Sequence, residues 1–125
     1  MLGEQNVVAN VAVKDLTAAK KFYEGQLGLS TVGNDPNGVM YKCGSSKMLV
    51  YESQFAGTNQ ATSASWDVED VESVVTALKG RGIKFESYDI PGVDKQGDVH
   101  VMGELKAAWF KDPDGNILCV SNHKA

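Results

Sequence analysis

The chain has 125 residues, 42% of them hydrophobic and 22% charged, with 12 basic against 16 acidic side chains and a formal net charge of −4. That length supports a core needing neither disulfides nor a structural metal, and the acidic balance, with no clustered basic stripe, excludes a nucleic-acid footprint. Only His100 and His123 are histidines, so any metal site has to be built around that shortage.

Residues 6–13, rich in Val, read as a strand. Asp15 follows where a helix N-cap belongs. Leu16, Ala19, Phe22, Tyr23 and Leu27 then recur at helical spacing, with Lys20, Lys21 and Glu24 on the wet side and Gly28 as a left-handed C-cap. Two short β-type runs, 38–43 and 47–52, are joined by Gly44-Ser45-Ser46, a hairpin signal. Residues 62–68 read as a further strand, Asp70 takes a cap position, and Val71, Val74, Val75 and Leu78 form an amphipathic stripe closed by Gly80 and Gly82. A loop over 88–104 contains Pro91, Gly92, Gly97 and Gly103. Runs 106–111 and 116–121 flank Asp112-Pro113-Asp114-Gly115, in which Pro presets φ and Gly accepts the positive φ that ends the turn.

The order of elements repeats. Val13-Lys14-Asp15-Leu16 is matched 55 residues on by Val68-Glu69-Asp70-Val71, and each half reads strand, helix, strands. Module one covers about 6–53 and module two about 62–121 of a single domain spanning 1–125. Neither module buries its sheet alone, so two sheets must pair, within the chain or across a dimer, leaving a cup between them as the natural ligand site.

The ends and the cysteines narrow the setting. Met1-Leu2-Gly3-Glu4-Gln5 has no basic stretch before an apolar run, against a secretory signal, and no apolar run approaches the ~18 residues of a membrane helix. Cys43 and Cys119 lie outside any Cys-x-x-Cys pair and are expected to be reduced core thiols of a cytoplasmic protein, a single disulfide between them being the alternative.

Val13-Lys14-Asp15-Leu16, Phe22-Tyr23 and Leu27-Gly28-Leu29, followed at the far end by Ala108-Trp109-Phe110-Lys111-Asp112-Pro113-Asp114-Gly115-Asn116, together resemble the vicinal oxygen chelate superfamily. That superfamily holds glyoxalase I, extradiol dioxygenases and the bleomycin- and fosfomycin-resistance proteins. The likeness runs from about Val7 to Ser121. It implies an α+β fold of two βαβββ modules forming incomplete barrels, commonly assembled as a homodimer.

Metal-dependent members of that superfamily chelate one divalent ion with His and Glu side chains in the cup. Carried onto this chain, the resemblance puts the four ligand positions at Val8, Val50, Ser63 and Cys119, with Glu52 replacing Val50 if the register lies two residues on. A valine has no lone pair to give and a serine hydroxyl is a poor neutral ligand, so no metal or other cofactor is expected.

Residues two apart on a strand share a face. The cup is therefore expected to hold Val8 with Asn10, Met48 with Val50 and Glu52, Ser63 with Ser65, and Cys119 with Ile117 and Ser121, with Trp109 beside them. Trp66, Tyr41 and Tyr51 are read as core aromatics as readily as ligand contacts. Glu52 is the one general acid or base on these strands, and the 88–104 loop brings His100 or Glu104 over the cup mouth. Each has a bland counterpart: a solvated strand-end carboxylate, an exposed loop histidine, a core thiol for Cys119, and for His123 a polar tail. The expected function is metal-free binding of a small organic molecule by a cytoplasmic homodimer with no nucleic-acid or membrane partner. The alternatives are an enzyme, a glyoxalase-like lyase or dioxygenase using a divalent metal or Glu52/His100, and a partner-binding module.

Overall fold

The computed structural model describes residues 1–33 and 38–122. His123 lies outside them.

Strand β1 (Ala9–Val13) turns Val11 and Val13 inward. Asp15 then caps α1 (Leu16–Lys20), its carboxylate accepting from the Thr17 N–H at 2.9 Å. The helix runs on through wider turns over Lys21–Gln26, where the Leu27 N–H donates to the Phe22 carbonyl five residues back at 2.9 Å. A wider turn takes a smaller angular step per residue. The adjacent Phe22 and Tyr23 therefore both enter the core, their rings edge-to-face at 5.0 Å. Strands β2 (Ser30–Thr31), β3 (Gly38–Cys43) and β4 (Ser46–Glu52) complete the first sheet in the order β1-β4-β3-β2, with β1 parallel to β4.

The second half repeats the plan. Strand β5 (Thr62–Asp67) leads to α2 (Val71–Lys79), capped by Asp70, which accepts from the Ser73 N–H at 3.1 Å. Then come β6 (Phe85–Glu86), β7 (Asp94–Gln96), β8 (Val99–Met102), β9 (Leu105–Lys111) and β10 (Ile117–Ser121), with β5 parallel to β10. The segment read from sequence as a loop over 88–104 is in large part the β7–β8 hairpin. It adds two strands to the second sheet (β5-β10-β9-β8-β7), while β6 pairs with the other half of β9.

The two halves meet within the chain. Strand β1 runs beside β5, and the helix-facing sides of both sheets share one core. The Asn116 side-chain amide donates to the Ala12 carbonyl at 2.7 Å, and the Lys14 N–H to the Asp114 carboxylate at 3.1 Å. Gln26 and Arg81 exchange bonds, each side chain donating to the other's carbonyl at 3.0 and 3.2 Å. They are 55 residues apart, the spacing of the sequence repeat, as expected of two residues facing each other across a pseudo-two-fold axis.

The halves differ in how well they fill. Around Tyr23 and Tyr41 the first half is sealed, both side chains being 0% exposed. Their counterparts are Leu78, 55 residues on, and Phe110, the partner of Leu118 as Tyr41 is of Met48. Together with Leu27 and Leu29, these two line a partly open apolar pocket of about 180 Å³. A leucine where the repeat has a tyrosine leaves the space open.

Candidate functional site

Strand register assigns each side chain to one of two faces, because directly paired residues point the same way. Asn10 pairs with Leu49 and Ala12 with Tyr51, while Val11 pairs with the core residue Val50. Asn10, Leu49 and Tyr51 thus stand on the face turned away from the helices, here called the open face. In the second sheet Cys119 pairs with Ser65 on one side and Trp109 on the other, and Ser121 with Ala107, which in turn pairs with His100. Ser63 is the extra residue where the register shifts, Ile117 pairing with Thr62 and Leu118 with Ala64, so alternation does not fix its face, and half-buried Val8 lies just before β1.

One expectation is corrected. Met48 and Val50 are buried on the helix side, packed into the core, and Glu52 shares their side of β4. Its carboxylate is exposed and lies 3.5 Å from the Leu16 N–H, at the start of α1. The side chains of β4 alternate, so a one-residue slip exchanges the faces. The internal repeat supplies the right register. Ser65 is the counterpart of Asn10, so Cys119, paired with Ser65, answers to Leu49, paired with Asn10. Tyr41 also belongs to the helix side, its hydroxyl donating to Glu24 at 2.8 Å, and so does Trp66, stacked on Phe110. Tyr51 is on the open face.

On the second sheet the structure brings together Ser65, Cys119 and Trp109 in one row, with His100 in the next. The Trp109 indole is fixed by donating to the Thr62 hydroxyl at 3.1 Å. His100 is fully buried under the segment that leads into β7, not exposed in a loop. Glu104 stays in the exposed β8–β9 turn, where its carbonyl accepts from the Asn122 amide. Sequence reasoning missed Leu49 and Tyr88. The repeat held the signal for Leu49. For Tyr88 the only signal was an aromatic residue inside a Gly- and Pro-punctuated stretch.

With the corrected register, the four ligand positions that the family resemblance implies fall on Val8, Leu49, Ser63 and Cys119. Two are hydrocarbons, one is a hydroxyl, and burial pushes the Cys119 thiol up to about 11, well above the range of metal-binding or nucleophilic thiols. Among the described residues no three His, Cys, Asp or Glu side chains cluster. This donor set does not fit a divalent ion. Cys119, 5% exposed and unpaired with Cys43, is expected to resist iodoacetamide at neutral pH. Labelling should rise only as pH approaches 11 or once the chain unfolds, with half-buried Cys43 modified first. Peptide mass spectrometry against pH checks this, and Cys119 labelling at pH 7.5 as fast as in denaturant contradicts it.

Two sheets with parallel first and last strands, a helix after each first strand and one shared core define a duplicated βαβββ fold of the α+β class. The chain belongs to the Glyoxalase/Bleomycin resistance protein/Dioxygenase superfamily, whose family model matches residues 5–120. The bleomycin resistance determinant encoded on the transposon Tn5 superposes with a TM-score of 0.71 at 18% identity, over 97% of this chain and 99% of that one. Lactoylglutathione lyase from Agrobacterium tumefaciens gives 0.68 at 20% identity over 94% of this chain and 92% of that one. A glyoxalase family protein from Enterococcus faecalis gives 0.67 at 22% over 97% and 99%. At these identities the likeness is one of fold. An S-layer-related protein from Niallia circulans is 32% identical over 80 residues, which is 64% of this chain but only 5% of that protein's length. Among the described residues no helix is long and apolar enough to cross a membrane.

Proposed function

We propose that the chain binds a small organic molecule on the open sheet face, by shape and ring contact and without a divalent metal. The observation that supports this is the chemistry of that face. Half-buried Leu49 and Tyr51 on one sheet and Trp109 on the other surround neutral polar groups, the Cys119 thiol and the serine hydroxyls, where the family resemblance implies ligands. An apolar, aromatic surface with a few neutral polar groups suits an uncharged or delocalised organic body. Acid–base chemistry through Glu52 loses its basis, since that carboxylate sits on the helix side of β4, and His100 is sealed from solvent.

A second copy covering the open face completes the site, so the proposal is of a homodimer, and the two unpaired thiols fit a cytoplasmic setting. Protein purified without chelators is expected to carry far less than one divalent ion per chain by elemental analysis. Planar hydrophobic compounds are expected to raise its melting temperature, and Trp109→Ala to weaken them about tenfold. Stoichiometric metal overturns the metal-free reading. A broad planar panel with no effect on melting favours the partner-binding module instead.

A further inference from the structure

His100 is 0% exposed and stands on the open-face side of β8. Its Nε2 accepts from the Tyr88 backbone N–H at 3.0 Å. A backbone N–H can only donate, so Nε2 presents its lone pair and the proton of the neutral ring is on Nδ1. Among the described residues that Nδ1–H has no hydrogen-bond partner, and neither has the buried hydroxyl of Tyr88. Both rings stand edge-on to Trp109, their centroids 4.9 and 5.5 Å from its own. Buried polar groups are nearly always paired. Two that are not, against one indole on the ligand-binding face, mark a place where an acceptor belongs.

The segment above them is lightly held. Residues 94–97 and the Ile90–Gly92 turn are exposed, with Gly92 and Gly97 in the left-handed region at φ of 80° and 63°. The segment is held by the backbone pairing of β7 with β8 and by the Tyr88 N–H bond to His100, and its side-chain ties are two surface ion pairs, Lys95 to Asp89 and Lys79 to Asp98, both at 2.7 Å. Such pairs contribute little and weaken with salt. An exposed edge hairpin of this kind belongs toward the low-stability end of a structure. Lys95 is the cross-strand partner of His100, so its ammonium group, held by Asp89 and by the Ser87 hydroxyl at 3.0 Å, has its root beside that ring.

We propose that the strap over residues 87–98 closes on a carboxylate subsite of the open face, where the His100 Nδ1–H and the Tyr88 hydroxyl donate to a carboxylate carried by a flat ring lying against Trp109. This rests on the reading of the open face as a ligand site and narrows it to aromatic or similarly flat acids. A carboxylate is the matching partner because it only accepts and offers two oxygens.

The test titrates the full chain with sodium benzoate, benzamide and toluene, following tryptophan fluorescence and melting temperature. Benzoate is expected to bind at least about tenfold more tightly than toluene, with benzamide between them. Tyr88→Phe removes only an unpaired hydroxyl. The free variant is therefore expected to melt no lower than wild type while losing most of the preference for benzoate and keeping its affinity for toluene. His100→Gln, whose carbonyl can still accept from the Tyr88 N–H, is a second variant expected to lose benzoate selectively. Equal binding of benzoate and toluene, unchanged benzoate affinity in Tyr88→Phe, or a lower melting temperature of that free variant each overturns the subsite. If none of the three probes binds, the subsite also falls, while the reading of the open face is decided separately by the wider planar panel and by Trp109→Ala.

Discussion

Asp112→Ala is expected to lower the stability of the folded chain by at least about 3 kcal/mol, out of roughly 5–15 kcal/mol for a domain of this kind. The carboxylate is 5% exposed and accepts four hydrogen bonds. Oδ2 takes the Tyr23 hydroxyl at 2.7 Å and the Asn116 side-chain amide at 2.8 Å, while Oδ1 takes the backbone N–H groups of Asp114 and Asn116 at 3.0 and 2.9 Å. Alanine leaves all four donors without their acceptor, three of them in bonds to a carboxylate oxygen buried in the fold. Burial first, and the charge of Asp112 second, hold the Tyr23 hydroxyl above the ordinary phenol range, so it stays a donor at every working pH. The Asn116 amide also holds the Ala12 carbonyl at 2.7 Å, so the loss spreads to the seam between the two halves. Tyr23→Phe removes one donor and is expected to cost about 1–2 kcal/mol. The double variant should cost less than the sum, because both substitutions break the same bond. Urea denaturation measures all three, and a loss under about 1 kcal/mol for Asp112→Ala contradicts the role given to this carboxylate.

The same residues show what a sequence makes legible. Asp15 and Asp70 announce their helices because an N-cap is a local matter, settled within three residues, and both accept as expected. The 55-residue repeat gives the duplicated architecture, since each half must present one apolar sheet face to a helix. The face of β4 is not assigned by its sequence because the pattern there is weak. In Met48-Leu49-Val50-Tyr51 every residue is apolar or aromatic, so alternation carries no signal and only the cross-strand partner decides. The strap escaped for a different reason. Its strand β7 pairs with β8 and β8 with β9 in two successive tight hairpins, which a run of Gly, Pro and charged residues does not advertise as strands. The buried state of His100 follows from that pairing and was equally hidden. The Asp-Pro-Asp-Gly turn carries the family likeness, yet its chemistry here is structural: it ties the second module to the first.

Gly57→Ala is expected to be nearly as damaging as the loss of Asp112, by a different route. Gly57 lies in the connection from β4 to β5 with φ of 72°, a conformation that side chains disfavour by about 1 kcal/mol or more. A Cβ there would also run into the backbone carbonyl of Asp114. Backbone cannot rotate aside as a side-chain tip can, so either the connection or the Asp112–Gly115 turn has to move. Moving the turn pulls the Asp114 carboxylate from the Lys14 N–H, now 3.1 Å away, and disturbs the bonds to Asp112. Gly44→Ala separates the two contributions. Its φ of 60° is similar, but nothing lies within 4 Å of the added carbon, so it should cost about 1 kcal/mol from conformation alone. Gly57→Ala should cost at least about 3 kcal/mol, in the range of an overpacked site with added backbone strain. Equal losses for the two variants in urea denaturation would show that the turn yields to the extra carbon, and that the connection between the modules is not clamped by the turn beneath it.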